Sequence, residues 1–374
     1  MQFVFFHLMP FTDFKEPGRD WPVANKAFDP KRGNELYHTY LDMMAEAEDY
    51  GFDWVGCNEH HFSPYGMMSN PNLIGAILAS RTKRARLAML GNIVPLNNPI
   101  RVAEEYAMLD VISGGRLVAG FVRGIPHEYV AYNVDPNESW GRLHEACELI
   151  IKCWTEPEPF GWEGEYFQYR SVSIWPRPLQ KPHPPIMMSA SNPESAVFAA
   201  KHRCKMGIVL FSSLQAAKDS IKTYKDAARA YGWEPGPDDI LVGENLSISE
   251  DEGEARDMLR EGRRYFFEVL GGGPRTAANL VLKESRFYED AKRRQGVTER
   301  RRGLAEETVE DAVNAGKCFC GTPEQVVEQI KWVQGELGNG IFNIAMKVGN
   351  IPDAYVRKGM KLFKERVQPH VHNL

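Results

Sequence analysis

The feature that most constrains this chain is a repeated alternation. Short apolar runs occupy residues 3–6, 53–57, 85–94, 116–121, 186–189, 206–211, 240–248 and 341–348, and stretches of helical spacing follow them. Continuous β-branched and aromatic runs suit strands buried on both faces. Strands that alternate with helices predict parallel pairing. Eight such units predict one (β/α)₈ TIM barrel over 1–374, with insertions after the fourth and seventh strands.

The helical stretches carry their own punctuation. Leu36, Tyr40, Met43, Met44 and Ala47 recur at helical spacing up to Gly51, a C-terminal stop. Pro99 opens a helix that closes at Ser113-Gly114-Gly115, and Thr322-Pro323-Glu324 sets a capping residue before a helix-starting proline. Prolines and glycines across 10–34 predict an ordered loop over a strand end. Residues at about 155–185, rich in aromatics and proline, read as an inserted hairpin or excursion. Residues at about 251–317 are charged and largely helical, broken at Gly271-Gly272-Gly273-Pro274. Within them, 262–305 reads either as a lid that shields the site from water or as a solvated helical pair.

Composition narrows the class. A net charge of −5 gives no reason to expect nucleic acid or an anionic membrane as partner. The basic clusters at 292–294 and 300–302 are flanked by Glu299, Glu306 and Glu307 and read as a solvated helix face. No run reaches the roughly 18 apolar residues of a membrane span, and the N-terminus has no signal-peptide pattern. The six cysteines include Cys318-Phe319-Cys320, whose gap is wrong for a CxxC pair, and no His or Cys cluster completes a metal site. Reduced thiols and a cytoplasmic location are expected.

Three segments at predicted strand ends carry ionisable or hydroxyl groups. Glu59-His60-His61 ends the second strand, and imidazole can take or give a proton near neutrality. Adjacent side chains there point to opposite sides, so one histidine is expected to face a pocket. The bland alternative is a histidine bonded to backbone at a loop start. Arg123-Gly124 ends the fourth strand and offers a planar fork for phosphate or carboxylate, or a surface ion pair. Ser189-Ala190-Ser191-Asn192-Pro193-Glu194-Ser195 follows the fifth strand into a helix, where free amides and hydroxyls suit an anion, or make only an N-cap. There is no Walker lysine motif and no GxGxxG.

Together, Glu59-His60-His61-Phe62, Asn70-Pro71-Asn72, residues 99–110 with Ser113-Gly114-Gly115-Arg116, and Arg123-Gly124 resemble the bacterial luciferase-like flavin-dependent monooxygenases. The stretch from Arg177 to Ile186 and Gly321-Thr322-Pro323-Glu324 extend the resemblance over most of the chain. It implies a (β/α)₈ barrel, usually dimeric, that binds reduced FMN from a separate NAD(P)H:flavin reductase. With O2 the flavin forms a C4a-(hydro)peroxyflavin, which oxidises a small apolar or aromatic substrate. Carried over by position, His60 matches the active-site histidine and Arg123 a phosphate ligand. Ser191, Asn192 and Ser195 fall on the helix start that holds the phosphate, and Val94 closes the third strand beside the ring.

Two positions depart from bacterial luciferase. Val122 stands where it has a reactive cysteine, and Ser191 where it has a carboxylate. The first puts light emission with long aldehydes in doubt. The alternatives are a deazaflavin-dependent hydride-transfer oxidoreductase on the same barrel and a non-catalytic flavin-binding subunit. Phe5, Phe6, His7, Phe11, Phe14, Trp21, Phe62, Tyr65, Met67, Met68 and Tyr132 belong to strand ends and loops of one face, and suit an apolar or aromatic ligand or simply core.

Overall fold

The computed structural model describes residues 1–15, 20–209, 211–284 and 307–374. The first half contains β1 (Gln2–Phe6), α1 (Pro30–Glu46), β2 (Trp54–Cys57), α2 (Pro71–Arg81), β3 (Arg86–Ile93), α3 (Pro99–Ile112), β4 (Leu117–Val122), α4 (Pro126–Ala131) and α5 (Ser139–Thr155). Then come β5 (Phe160–Glu163), β6 (Gln168–Val172), β7 (Ile186–Ser189), α6 (Pro193–Lys201), β8 (Lys205–Ile208), α7 (Leu214–Ala230) and β9 (Ile240–Ile248). The last part holds α8 (Glu252–Arg264), α9 (Gly272–Glu284), α10 (Val309–Asn314), β10 (Cys318–Gly321), α11 (Pro323–Leu337), β11 (Ile341–Ala345), α12 (Asp353–Leu362) and α13 (Gln368–Val371).

Eight parallel strands close a ring in the order β1, β2, β3, β4, β7, β8, β9, β11, with β11 returning to β1. Alternation along each strand separates two cores. Val4, Phe6, Trp54, Ala88, Val118, Met187, Leu241 and Ile341 fill the barrel interior. Their neighbours Phe3, Phe5, Val55, Leu87, Leu117, Val242 and Phe342 face outward into the larger core under the helices.

Five helices start the same way. Asp29, Asn70, Asn98, Asn192 and Thr322 each accept a backbone N–H through the side chain, and proline follows as the first helical residue. The cap satisfies an orphan donor while proline supplies helical φ at a position that needs no N–H. This fixes where the chain turns from loop to helix.

The strand wall is irregular at one place. Register between β3 and β4 shifts from Met89–Ala119 to Asn92–Phe121, and the Leu90–Gly91 peptide is cis. A Cβ on Gly91 would stand 2.3 Å from the Gly120 carbonyl carbon, and one on Gly120 2.1 Å from the Met89 oxygen. Only two facing glycines allow this approach.

Two elements depart from the expectation. The sequence reading has no strand at 318–321, but β10 pairs with Asn245–Ile248 of β9, outside the ring. The cause is length. β8 covers only Ile240–Val242 of the nine-residue β9, and the uncovered edge takes a ninth strand. Helix α4 has no signature of its own in the sequence, since six residues give too little periodicity. The segment at about 155–185 contains the antiparallel hairpin of β5 and β6. The expected lid at 262–305 and the basic clusters at 292–302 fall wholly or partly outside the described residues, and what is described continues α8 through a wide turn at Tyr265–Leu270 into α9. Among the described residues no helix is long and apolar enough to cross a membrane. All six cysteines are unpaired and buried.

Candidate active site

The carboxyl ends of the strands form one face of the barrel, where active sites of this architecture are built. The chain beyond β2 runs Asn58-Glu59-His60-His61, and the two histidines take different partners. His61 Nε2 is 2.8 Å from Glu59 Oε1, and its Nδ1 is 3.1 Å from the Tyr132 hydroxyl. Glu59 Oε2 accepts the Ile93 N–H at 2.8 Å, so this pair ties the end of β2 to the end of β3.

His60 turns to α4 instead. Its Nδ1 is 2.9 Å from Glu128 Oε1, and its Nε2 is 2.8 Å from the Asn58 side-chain amide. The other Glu128 oxygen accepts the Ile125 N–H at 2.8 Å, which fixes the carboxyl at the helix start. The Tyr65 ring meets the His60 ring edge-on at 4.5 Å. Burial drives both groups to their neutral forms, taking the Glu128 carboxyl up to about 8 and the His60 imidazolium down to about 3. At neutral pH the pair therefore shares one proton without net charge.

A cavity of about 310 Å³ opens at this face. Phe6, Leu8, Tyr65, Phe266, Phe267 and Val348 give it an apolar wall, while Asn58, Glu244, Asn245 and Asn343 are polar groups on its lining. His60 is not on the lining and reaches it through Asn58. Volume and wall suit a small organic molecule.

Arg123 stands at the end of β4, where its guanidinium lies 4.9 Å over the Trp140 ring and Nη1 is 3.4 Å from the Ser139 hydroxyl. β4 pairs with β7 through Phe121–Met188, so the chain that continues into Ser191 and Asn192 runs beside it. Asn192 caps α6, its Oδ1 accepting the Ser195 N–H at 3.0 Å. Ser195 is buried and its hydroxyl donates to the Asn192 carbonyl at 3.0 Å, a bond internal to the cap. A guanidinium, a hydroxyl and a helix N-terminus on adjacent strands fit the phosphate of a flavin mononucleotide.

Arg123, Ser191 and Asn192 thus follow two neighbouring strands, and His60 stands on the same face. Val94 does not join them. It is fully buried and its side chain packs into the core outside the barrel wall. Sequence reasoning missed Glu128, Asn58, Glu244 and Asn343. The last two had a signal, a carboxylate and an amide inside apolar runs, Val242-Gly243-Glu244-Asn245-Leu246 and Phe342-Asn343-Ile344.

A closed parallel barrel whose mouth joins an apolar cavity to a buried histidine–carboxylate pair is an enzyme architecture. The profile of the luciferase-like monooxygenases matches residues 21–338, and the chain belongs to this family of flavin-dependent enzymes. It is 37% identical over 186 residues to the uncharacterized protein y4wF of Sinorhizobium fredii, a match covering 49% of this chain and 54% of that one. It is 32% identical over 183 residues to the oxygenase component of the flavin-dependent trigonelline monooxygenase of Acinetobacter baylyi, covering 48% and 50%. These matches span about half the length of each of the two curated relatives. Among solved structures, monooxygenase RslO1 from Streptomyces bottropensis superposes with a TM-score of 0.75 at 28% identity, covering 99% of both chains.

Proposed function

We propose that this protein is the oxygenase of a two-component system, using reduced FMN and O2 to oxidise a small apolar or aromatic compound. The Acinetobacter relative is named as an oxygenase component, which supports a separate NAD(P)H:flavin reductase as partner. The observation that carries the reading is the arrangement of the mouth. Arg123 and the Ser191-Asn192 turn sit on β4 and β7, and the apolar cavity sits across the ring on β1, β9 and β11. A flavin held by its phosphate on the first side would extend its ring toward the second. The bound flavin supplies the activation of oxygen. One oxygen atom enters the substrate and the other leaves as water, with both electrons for water coming from the reduced flavin.

The chain's own residues would do the rest. Arg123, Ser191 and Asn192 hold the phosphate, with Ser195 fixing the turn. Phe6, Leu8, Tyr65 and Phe266 exclude water. His60, backed by Glu128, handles a proton through Nε2 and Asn58. A homodimer fits the packed pair α2 and α3, which leaves Leu73, Ile77, Met108, Val111 and Ile112 exposed. Buried thiols agree with a reducing cytoplasm.

Anaerobic titration with reduced FMN, followed by mixing with oxygenated buffer, tests the reading. Binding by the wild type, weakened about ten- to a hundredfold in Arg123→Ala, is expected for loss of a charge-assisted bond. Binding of a reduced deazaflavin coenzyme in place of reduced FMN would move the protein to hydride transfer without oxygen.

A further inference from the structure

We propose that the cavity selects a compact ring compound that presents an N–H or O–H donor to Asn343 and Glu244, a substrate class that rests on the oxygenase reading above. The polar atoms on the lining carry the inference. Asn343 Oδ1 and both carboxyl oxygens of Glu244 are buried without a hydrogen-bond partner among the described residues. Both residues line the same cavity. Buried polar groups are nearly always paired, so two unmet polar groups on one cavity call for a partner that arrives with the ligand.

Strand geometry places the first of these. Asn343 pairs with Val4 on one side and Gly243 on the other, and Val4, Ile341 and Ala345 have their side chains in the barrel interior. Asn343 shares their parity, so its amide points inward at the cavity floor. It is 2% exposed. Gly243 cannot cover it, because a Cβ there would stand 2.8 Å from the Val209 oxygen.

Glu244 occupies the fork where β8 leaves β9 and β10 takes over. It is 4% exposed. Burial pushes its carboxyl well above the usual carboxylate range, against the fields of Lys317 and Arg263, and both of those cations are engaged by Glu307, at 2.6 Å and 3.5 Å. The carboxyl is therefore held neutral, with one O–H and one carbonyl oxygen left for a ligand's hydroxyl or amino group.

The same groups are poorly placed to hold the flavin phosphate. Arg123 and Ser191 extend from β4 and β7, and the midpoint of that pair faces β11 and β1 across the ring. His127, Asn245, Arg275 and Lys317 also line the cavity, and Asn343 and Glu244 act on its β9–β11 side as a selectivity element. A hydrocarbon ring would leave them unmet, and a ring with a hydroxyl or amino group would meet them.

The test uses three probes of nearly one shape on the full chain with FMN present: 4-methylphenol, 4-methylanisole and toluene. Binding is read by ligand-observed NMR. We expect 4-methylphenol to bind about tenfold or more tightly than 4-methylanisole, whose oxygen has no proton. In Asn343→Leu or Glu244→Leu that margin should shrink to about twofold. Equal binding of the phenol and its ether by the wild type, or no binding of the phenol, would overturn the proposal without any variant having to fold. A margin unchanged in both variants would overturn it as well. Reduced-FMN affinity of the wild type is measured alongside. Its absence counts against the oxygenase reading, and the probe margin counts for or against the donor subsite.

Discussion

Glu128 Oε1 lies 2.9 Å from His60 Nδ1, in a site where burial disfavours charge on both residues. Below about pH 8 the carboxyl keeps its proton and Nδ1 accepts it, so Nε2 carries a hydrogen and can act as an acid. Above that pH the carboxylate takes the Nδ1–H and leaves Nε2 bare, able to act as a base. The Asn58 amide can serve either state, by its nitrogen or, after rotation, by its oxygen. Glu128 is thus a positioning residue that sets which role His60 plays.

The pH dependence of turnover should therefore show an inflection near 8 in the wild type. In Glu128→Gln that inflection should vanish, because the amide does not titrate, while reduced-FMN binding stays within about twofold. His60→Ala should lower turnover by about a hundredfold. Steady-state rates from pH 6 to 9 with a flavin reductase decide the matter. A profile unchanged in Glu128→Gln would remove its role.

A second prediction concerns the wall between β3 and β4. A methyl group at Gly120 would meet the Met89 oxygen at 2.1 Å and the Leu90 Cα at 2.7 Å, both backbone atoms that cannot move alone. Gly120→Ala should cost about 3 kcal/mol, the upper range for overpacking. Gly335 in α11 offers the opposite case, with nothing within 4 Å of an added Cβ. Gly335→Ala should raise stability by about 0.5–1 kcal/mol through helix propensity. Urea midpoints that move the same way would contradict the argument.

Much of the barrel was legible because its signals are local. Apolar runs such as Phe3-Val4-Phe5-Phe6 mark strands buried on both faces, and Asn-Pro or Thr-Pro pairs mark helix starts within a residue. Ordered motifs put His60 and Arg123 just beyond apolar runs for the same reason, and both stand at carboxyl ends of strands. What was not legible depends on distance in the chain. Nothing near Glu128 announces that it meets His60, 68 positions away, and the site of β10 follows from the unequal lengths of β8 and β9. Val94 shows the reverse error. Its place at the end of β3 suggested the mouth, but strand parity and the turn at Val94–Leu96 send its side chain outward.

The last prediction concerns acid stability and His7. This histidine is buried behind β1, where its Nδ1 accepts the Met9 N–H at 2.8 Å. Burial, reinforced by the Lys347 charge, pushes its imidazolium down to about 3 from the ordinary 6.5. Between those values the unfolded chain binds a proton that the native chain refuses, so stability present above pH 6.5 is lost as pH falls toward 3. One such group costs up to about 1.4 kcal/mol per pH unit in that window. His60 titrates in the same sense and adds to the slope. His7→Leu removes one of the two. It should be less stable at pH 7 by about 1–3 kcal/mol, since the Met9 N–H loses its acceptor. Its stability should nevertheless fall less steeply than that of the wild type between pH 6.5 and 4.5. Urea unfolding at pH 7, 6 and 5 measures both effects, and parallel curves for the two proteins would show that His7 is not held neutral in the native state.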